Sequence, residues 1–255
     1  MLNIPPDGPR VKPDAISASI DTLELWFPDK LPPHVYRRVV KLLPRLRIKR
    51  TRYGIKAGIN RPTLAENEIL GDLWNRDVGG CRTHRVHMAF DFIFSDRSSA
   101  MQFKDWLPTR CIFKWSPNHA LEIEDGYYVR NFAAKRRPGR APVIYLKGDN
   151  TVRVELRFEN AEACRRAGLD DPLLIIDLDP SELFRRCAKV VNYRSSYLEK
   201  VAREVEATYG EEWVRPALYR LDKHCALMMR AVHRPEGAYT NITDSLGLPR
   251  TLKWA

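Results

Sequence analysis

Arg82-Thr83-His84-Arg85-Val86-His87-Met88-Ala89-Phe90-Asp91-Phe92-Ile93-Phe94 decides how the chain is read. With a period of two it sends Val86, Met88, Phe90, Phe92 and Phe94 to one face and Arg85, His87 and Asp91 to the other. That is a strand with one side on a core and the other presenting charge. Thr151 to Glu159 repeats the pattern, with Val152, Val154, Leu156 and Phe158 opposed to Arg153, Glu155, Arg157 and Glu159. Pro142 to Lys147 is a third such stretch, with Tyr145 and Lys147 two residues apart. If the three share a sheet, its open face carries a tyrosine, a lysine, a histidine, carboxylates and arginines.

Working outward, Ile20 to Phe27 reads as an opening strand, and Val35 to Leu43 as a short helix after Pro32-Pro33. Arg45 to Ile55 is a basic, strand-like segment ending at Gly54. Pro62 to Trp74 reads as a helix with Leu64, Ile69, Leu70 and Leu73 on one stripe. Asp96 to Ser99 offers caps for a helix through Trp106. Short β segments are expected at Cys111–Trp115, Leu121–Glu124 and Tyr127–Phe132. Beyond Glu159 the texture turns helical: Ala161–Ala167, then Ser181 to about Ala207 after Pro180, then Trp213 to His233. The expected fold is α+β, a mainly antiparallel sheet with helices on one face and a helical C-terminal region. Residues 1–17 form an expected flexible arm, 18–160 the α+β region and 161–255 the helical region.

The chain has 255 residues, 44% of them apolar, enough for a substantial core without staples. Its 43 basic against 32 acidic residues give a formal charge of +11, which favours a polyanionic partner, nucleic acid first. The densest basic cluster, Lys135-Arg136-Arg137-Pro138-Gly139-Arg140, leads into the Tyr145 strand. Five scattered cysteines without a CxxC pair read as reduced, buried thiols. No stretch approaches the roughly 18 apolar residues of a spanning helix, and no signal-peptide core is evident, so a cytoplasmic protein away from the membrane is expected.

Several readings of the polar face stand side by side. A tyrosine can attack a backbone phosphate and hold the cut end, provided cations neutralise the charge that develops. Tyr145 with Lys147 meets that description, and so does packing with the hydroxyl at the surface. Glu155, with His87 or Asp91, could hold Mg²⁺ or Mn²⁺, the imidazole tipping the balance toward Mn²⁺. His87 and Asp91, four apart on a strand, lie about 13 Å apart and are not expected to share one ion directly. The alternative is a salt-bridge ladder of these groups with Arg153 and Arg157. His84 and His87, three apart on a strand, are expected on opposite faces. A rival nucleophile is Tyr197 with Lys200, placed with Tyr193 on one helix face at i, i+4 and i+7; an amphipathic packing stripe explains the same spacing.

The order of these residues resembles the replication initiators of filamentous phages, the gene II type, and related plasmid proteins that start rolling-circle replication. The resemblance rests on Val143-Ile144-Tyr145-Leu146-Lys147, Val152-Arg153-Val154-Glu155-Leu156-Arg157, Arg166-Ala167-Gly168-Leu169, and Asp177-Leu178 with Glu182-Leu183-Phe184. Upstream, Arg85 to Asp91 is similar to the family's Arg-Ile-Asp strand, and Ile20-Asp21-Thr22-Leu23 to its opening strand. The resemblance covers roughly residues 18–190 in pieces and implies a Rep-type endonuclease-like fold. It makes Tyr145 a nicking nucleophile, Lys147 its cationic neighbour and Glu155 a metal ligand. It also implies DNA, single-stranded or extruded at an origin, as substrate, and a host helicase as partner. Arg85, Arg153, Arg157 and the 135–140 cluster would then contact DNA. His87 departs from the family, which has aspartate there, and His84 and His87 are one residue too far apart for a His-hydrophobic-His motif. The alternative function is a non-catalytic nucleic-acid-binding protein, a repressor or nuclease inhibitor of the same fold.

Overall fold

The structure is a computed structural model, and it describes residues 11–27, 31–77, 82–113, 120–123, 126–129, 142–214 and 239–255. Among these, eight strands form one antiparallel sheet in the order β2-β3-β1-β4-β9-β8-β7-β6. They are β1 (Ala15–Phe27), β2 (Arg47–Thr51), β3 (Gly54–Asn60), β4 (Arg82–Ile93), β6 (Ala120–Ile123), β7 (Gly126–Val129), β8 (Val143–Lys147) and β9 (Thr151–Phe158). A second sheet runs β11-β10-β5, from β5 (Cys111–Phe113), β10 (Ala188–Tyr193) and β11 (Tyr239–Asn241). The helices are α1 (Pro33–Leu42), α2 (Leu64–Asp77), α3 (Arg97–Arg110), α4 (Ala161–Ala167), α5 (Pro172–Asp177), α6 (Pro180–Cys187) and α7 (Ser195–Tyr209). The mixed α+β class expected from the alternating strands is what the chain forms. No helix among the described residues is long and apolar enough to cross a membrane.

One face of the large sheet carries the core. Val86, Met88, Phe90 and Phe92 of β4 are fully buried, as are Val152 and Val154 of β9. Phe92 and Phe94 meet Phe103 of α3 with ring centroids 5.2 and 5.1 Å apart, and Phe90 meets Phe184 of α6 edge-on at 5.0 Å. Each ring pair adds about 0.5–1.5 kcal/mol beyond its buried area. Trp254 closes the column beside Phe90, its indole N–H donating to the Ile175 carbonyl at 2.9 Å. The helices start where short polar side chains can accept orphan amide protons. Asp96 accepts from Ser99 N at 2.9 Å, Asn160 from Ala163 N at 2.9 Å, and Asp179 from Ser181 N at 2.8 Å. Thr63 and Glu66 form a reciprocal capping box at the start of α2, so Thr63 rather than Pro62 sets that boundary.

Two bulges shape the polar face. Along β1 the pairing with β4 skips between Ile20 and Thr22. Buried apolar positions therefore change from Ala18 and Ile20 to Leu23, Leu25 and Phe27, and Asp21 and the buried Thr22 both turn to the polar face. A second irregularity pairs Glu24 with Arg85 but Leu25 with Thr83, leaving His84 as the extra residue of β4. Bulges of this kind re-aim side chains at the cost of local pairing. Gly54, at φ +151°, follows the Arg52-Tyr53 turn that makes Arg45 to Ile55 part of a hairpin.

Several expectations are corrected. The span from Ser181 to Ala207 is not one helix: Ala188–Tyr193, with its β-branched and aromatic residues, forms β10 between α6 and α7. The C-terminal part therefore contributes strands as well as helices. Tyr193 ends β10, so it does not share a helix with Tyr197 and Lys200. The opening strand begins at Ala15, within the segment expected to be an arm. The cluster Lys135, Arg136, Arg137 and Arg140, residues 1–10, and most of the helix expected over Trp213 to His233 lie outside the described residues.

Candidate active site

The open face is assembled from β8, β9, β4 and β1 by register. Tyr145 stands opposite Arg153, Asp91 opposite Arg153 on the other side, and His87 opposite Arg157. Paired residues in an antiparallel sheet share a face, so the three alternating stretches converge as their patterns require.

Two ion-pair knots result. In the first, Arg153 grips Asp91 in a fork, Nε to Oδ1 at 2.6 Å and Nη2 to Oδ2 at 2.8 Å, while its Nη1 donates to Asp21 Oδ1 at 3.2 Å. Lys147 Nζ adds a bond to Asp91 Oδ2 at 2.9 Å. Burial pushes the Asp91 carboxyl upward, but the guanidinium and ammonium outweigh it and hold the group below its ordinary range. Arg153 is 4% exposed. Burial pulls its pKa down, yet the bond to Asp91 leaves it raised, so this cation is permanent and positions the carboxylates around it. In the second knot, Glu155 accepts from Tyr145 Oη on Oε1 at 2.5 Å and from Arg157 Nε on Oε2 at 2.6 Å. Burial, then the bond to Glu155, pushes the Tyr145 phenol up to about 12.

A third group continues toward the hairpin. His87 Nε2 lies 3.1 Å from Glu159 Oε1, and the imidazole holds the Glu159 carboxyl low. Arg85 Nη2 reaches Glu24 at 3.4 Å, and Lys56 Nζ reaches Glu24 at 3.3 Å and His84 Nε2 at 2.6 Å. Burial and the Lys56 charge lower the pKa of His84, so it is the neutral ring accepting from Lys56. The bulge brings His84 to the same face as Arg85, against the expectation that His84 and His87 diverge.

The expected ion ligands are therefore distributed among different partners: Asp91 to Arg153 and Lys147, Glu155 to Tyr145 and Arg157, and His87 to Glu159. Among the described residues no group of three or more His, Cys, Asp or Glu side chains is arranged to hold a metal. As they stand, Asp91, Glu155 and His87 are each taken up by an ion pair or hydrogen bond within the sheet face. The rival tyrosine, Tyr197, is 5% exposed, and Lys200 pairs with Glu204 at 3.8 Å on the surface; that pair does not present a hydroxyl to a phosphate.

Asp21 and Glu24 belong to the face but escaped the strand pattern. Their signal was present as a phase break, since the apolar residues Ile20 and Leu23 are three apart in an otherwise alternating run.

No protein-family model matches the chain, and no curated protein matches it. Among solved structures, a rolling circle replication initiator protein from Geobacillus stearothermophilus is similar over 71% of this chain and 89% of its own length, with 10% identity and a TM-score of 0.43. A likeness that distant carries neither activity nor residue roles to this chain.

Proposed function

We propose that the chain is a DNA-nicking tyrosine endonuclease of the replication-initiation kind, acting on single-stranded or extruded DNA through Tyr145. The observation that carries this reading is the 2.5 Å bond from Tyr145 Oη to Glu155 Oε1, with Arg153, Arg157 and Lys147 around it. A phenol whose pKa is pushed up to about 12 is a poor nucleophile at neutral pH unless a base in contact takes its proton as it reacts. Glu155 is that base. Arg157 fixes the far oxygen of the carboxylate so that the near one faces the hydroxyl.

The step balances as a transesterification. Tyr145 Oη bonds to phosphorus as its proton passes to Glu155, the bond from phosphorus to the 3′ oxygen breaks, and that oxygen takes a proton from solvent. A 5′-phosphotyrosine and a free 3′ hydroxyl result. Lys147, 44% exposed at its side chain, is the cation best placed to meet the extra phosphorane charge. The resemblance of Tyr145-Leu146-Lys147 and Arg153-Val154-Glu155-Leu156-Arg157 to the phage initiators points to the same nucleophile.

A second reading, nucleic-acid binding without cleavage, is favoured by the closed Asp91–Arg153 knot. One experiment separates them. Supercoiled plasmid and single-stranded DNA are incubated with the protein in Mg²⁺, Mn²⁺ or EDTA and run on a denaturing gel. A covalent adduct lost in Tyr145→Phe supports the nickase. Binding without nick or adduct in any condition overturns it and leaves the non-catalytic reading.

A further inference from the structure

A cavity of about 790 Å³ opens where β1 ends, the β2–β3 hairpin turns, β4 begins and β9 passes into α4. Trp26, Tyr53, Lys56, Arg82, His84 and Arg166 are among its lining side chains. Its size is that of a small-ligand site. Its chemistry is cationic and aromatic. The Arg82 guanidinium lies over the Trp26 ring at 4.7 Å, and Arg52 lies 5.6 Å over the ring of Tyr53, which is 73% exposed. Glu162, the lining carboxylate, is neutralised by Arg165 and Arg166 on its own helix.

The surroundings extend this character. From residue 31 to residue 65 the chain contains ten lysines and arginines and no aspartate or glutamate. Arg47, Lys49 and Arg50 of the edge strand β2 and Arg52 of the turn are all exposed. The polar sheet face, by contrast, is charge-balanced by its own carboxylates. The hairpin and the cavity beside it therefore carry much of the positive surplus.

We propose that this cavity is a subsite for one nucleotide of a single-stranded nucleic acid. The unstacked base enters against the Trp26–Arg82 stack and Tyr53, and the flanking phosphates meet Lys56, Arg166 and the basic edge of β2. Aromatic rings and guanidinium planes accept any base by its π-face, and single strands are held by such platforms within cationic grooves. In a duplex the base is already stacked and only the phosphates remain accessible. The cavity therefore selects single strands without reading sequence. The site goes beyond the nickase reading and stands whether or not Tyr145 cleaves.

The test is binding, measured by fluorescence anisotropy in both the wild-type chain and the Tyr145→Phe background, so that cleavage and binding are read apart. The probes are a short oligothymidylate, an abasic strand of the same length, a duplex of the same length and free thymidine monophosphate. Trp26→Leu and Tyr53→Ala should each weaken oligothymidylate binding by about 5- to 150-fold, the range of one lost base stack, and leave the abasic strand and duplex unchanged. Tyr53 is exposed, so its variant keeps the test valid if Trp26→Leu melts early. Equal loss on thymidylate and abasic strands, or no loss, overturns the base subsite. Thymidine monophosphate binding as tightly as the oligomer overturns the assignment to a strand and makes the ligand a free nucleotide.

Discussion

Tyr145 and Glu155 are joined by a hydrogen bond of 2.5 Å although they are not directly opposed in the sheet. Tyr145 pairs with Arg153 and Val143 with Glu155, so the phenol leans diagonally across to a carboxylate that Arg157 holds from the other side. Diagonal neighbours in a sheet lie within reach of aromatic side chains, and here the reach couples the candidate nucleophile to its candidate base.

Tyr145→Phe removes the hydroxyl and nothing else. Cleavage and adduct are expected to vanish, while the lost bond to the buried Glu155 carboxylate costs about 1.5–3 kcal/mol of stability. Adduct formation on the denaturing gel and the midpoint of thermal unfolding check both parts. Adduct retained by the variant would mean that another group attacks.

Arg153→Ala leaves Asp91 and Asp21 without their central cation. Breaking a buried pair from one side costs about 3–5 kcal/mol, a fall in Tm of about 6–20 °C for a chain of this size. Arg157→Ala should cost less, about 1–2 kcal/mol, because its guanidinium is part-exposed and Glu155 keeps Tyr145. Thermal melts of the two variants side by side decide the ranking; equal losses would show that burial of Arg153 does not govern.

Acid should unfold the protein in a definite direction. The Asp91 and Glu159 carboxyls are held below their ordinary values in the fold. Their stabilisation is fully present above the unfolded carboxylate range, roughly pH 4 to 4.5, and is lost as pH falls through the lower folded values. Stability measured by urea titration should therefore decline as pH drops below about 4, and decline less steeply in Asp91→Asn. An identical acid slope in the variant would remove Asp91 from the account.

Gly54→Ala tests the hairpin beside the cavity. A Cβ at this position would lie 2.1 Å from the Phe27 carbonyl oxygen, at a backbone φ of +151°. The strands must separate or the turn must rebuild, with an expected cost of about 1–3 kcal/mol. Hydrogen exchange at β2 and β3 would show faster opening there; unchanged protection would mean that the turn rearranges freely.

The basic cluster from Lys135 to Arg140 is tested by the salt dependence of binding. Replacing Lys135, Arg136, Arg137 and Arg140 by alanine removes up to four counterion-releasing contacts, so the salt slope of duplex binding should become shallower by about 3 to 4 units. An unchanged slope on two unrelated DNA sequences would move the electrostatic footprint to Arg47, Lys49, Arg50 and Arg52.

Much of the sheet could be read directly because its central strands alternate without interruption. Val86 to Phe94 and Val152 to Phe158 fixed which face each residue takes, and hence that Tyr145, Glu155, Arg153 and Asp91 would gather. Partner choice was not readable. Whether Asp91 meets an ion or Arg153 depends on register between strands 62 residues apart in sequence, and no local pattern encodes register. β10 was missed because Pro180 and the apolar spacing of Leu183, Phe184 and Cys187 announce a helix correctly but do not mark its end. Asp179 caps that helix, and α6 passes straight into the strand at Ala188 with no glycine or proline between.

The outward turn at Asp21 also bears on how this strand can tolerate change in length. Residues before the bulge keep one parity and those after it the other, so a single-residue deletion at Asp21 or Thr22 would erase the bulge and leave both halves of β1 facing correctly. The sheet could close over it, with the loss confined to one short polar side chain. A deletion anywhere between Leu23 and Phe27 would instead invert the apolar and polar sides of the segment between it and the bulge. The insertions and deletions that descendants of this chain can carry in β1 should therefore cluster at Asp21-Thr22, while point substitutions spread along the whole strand.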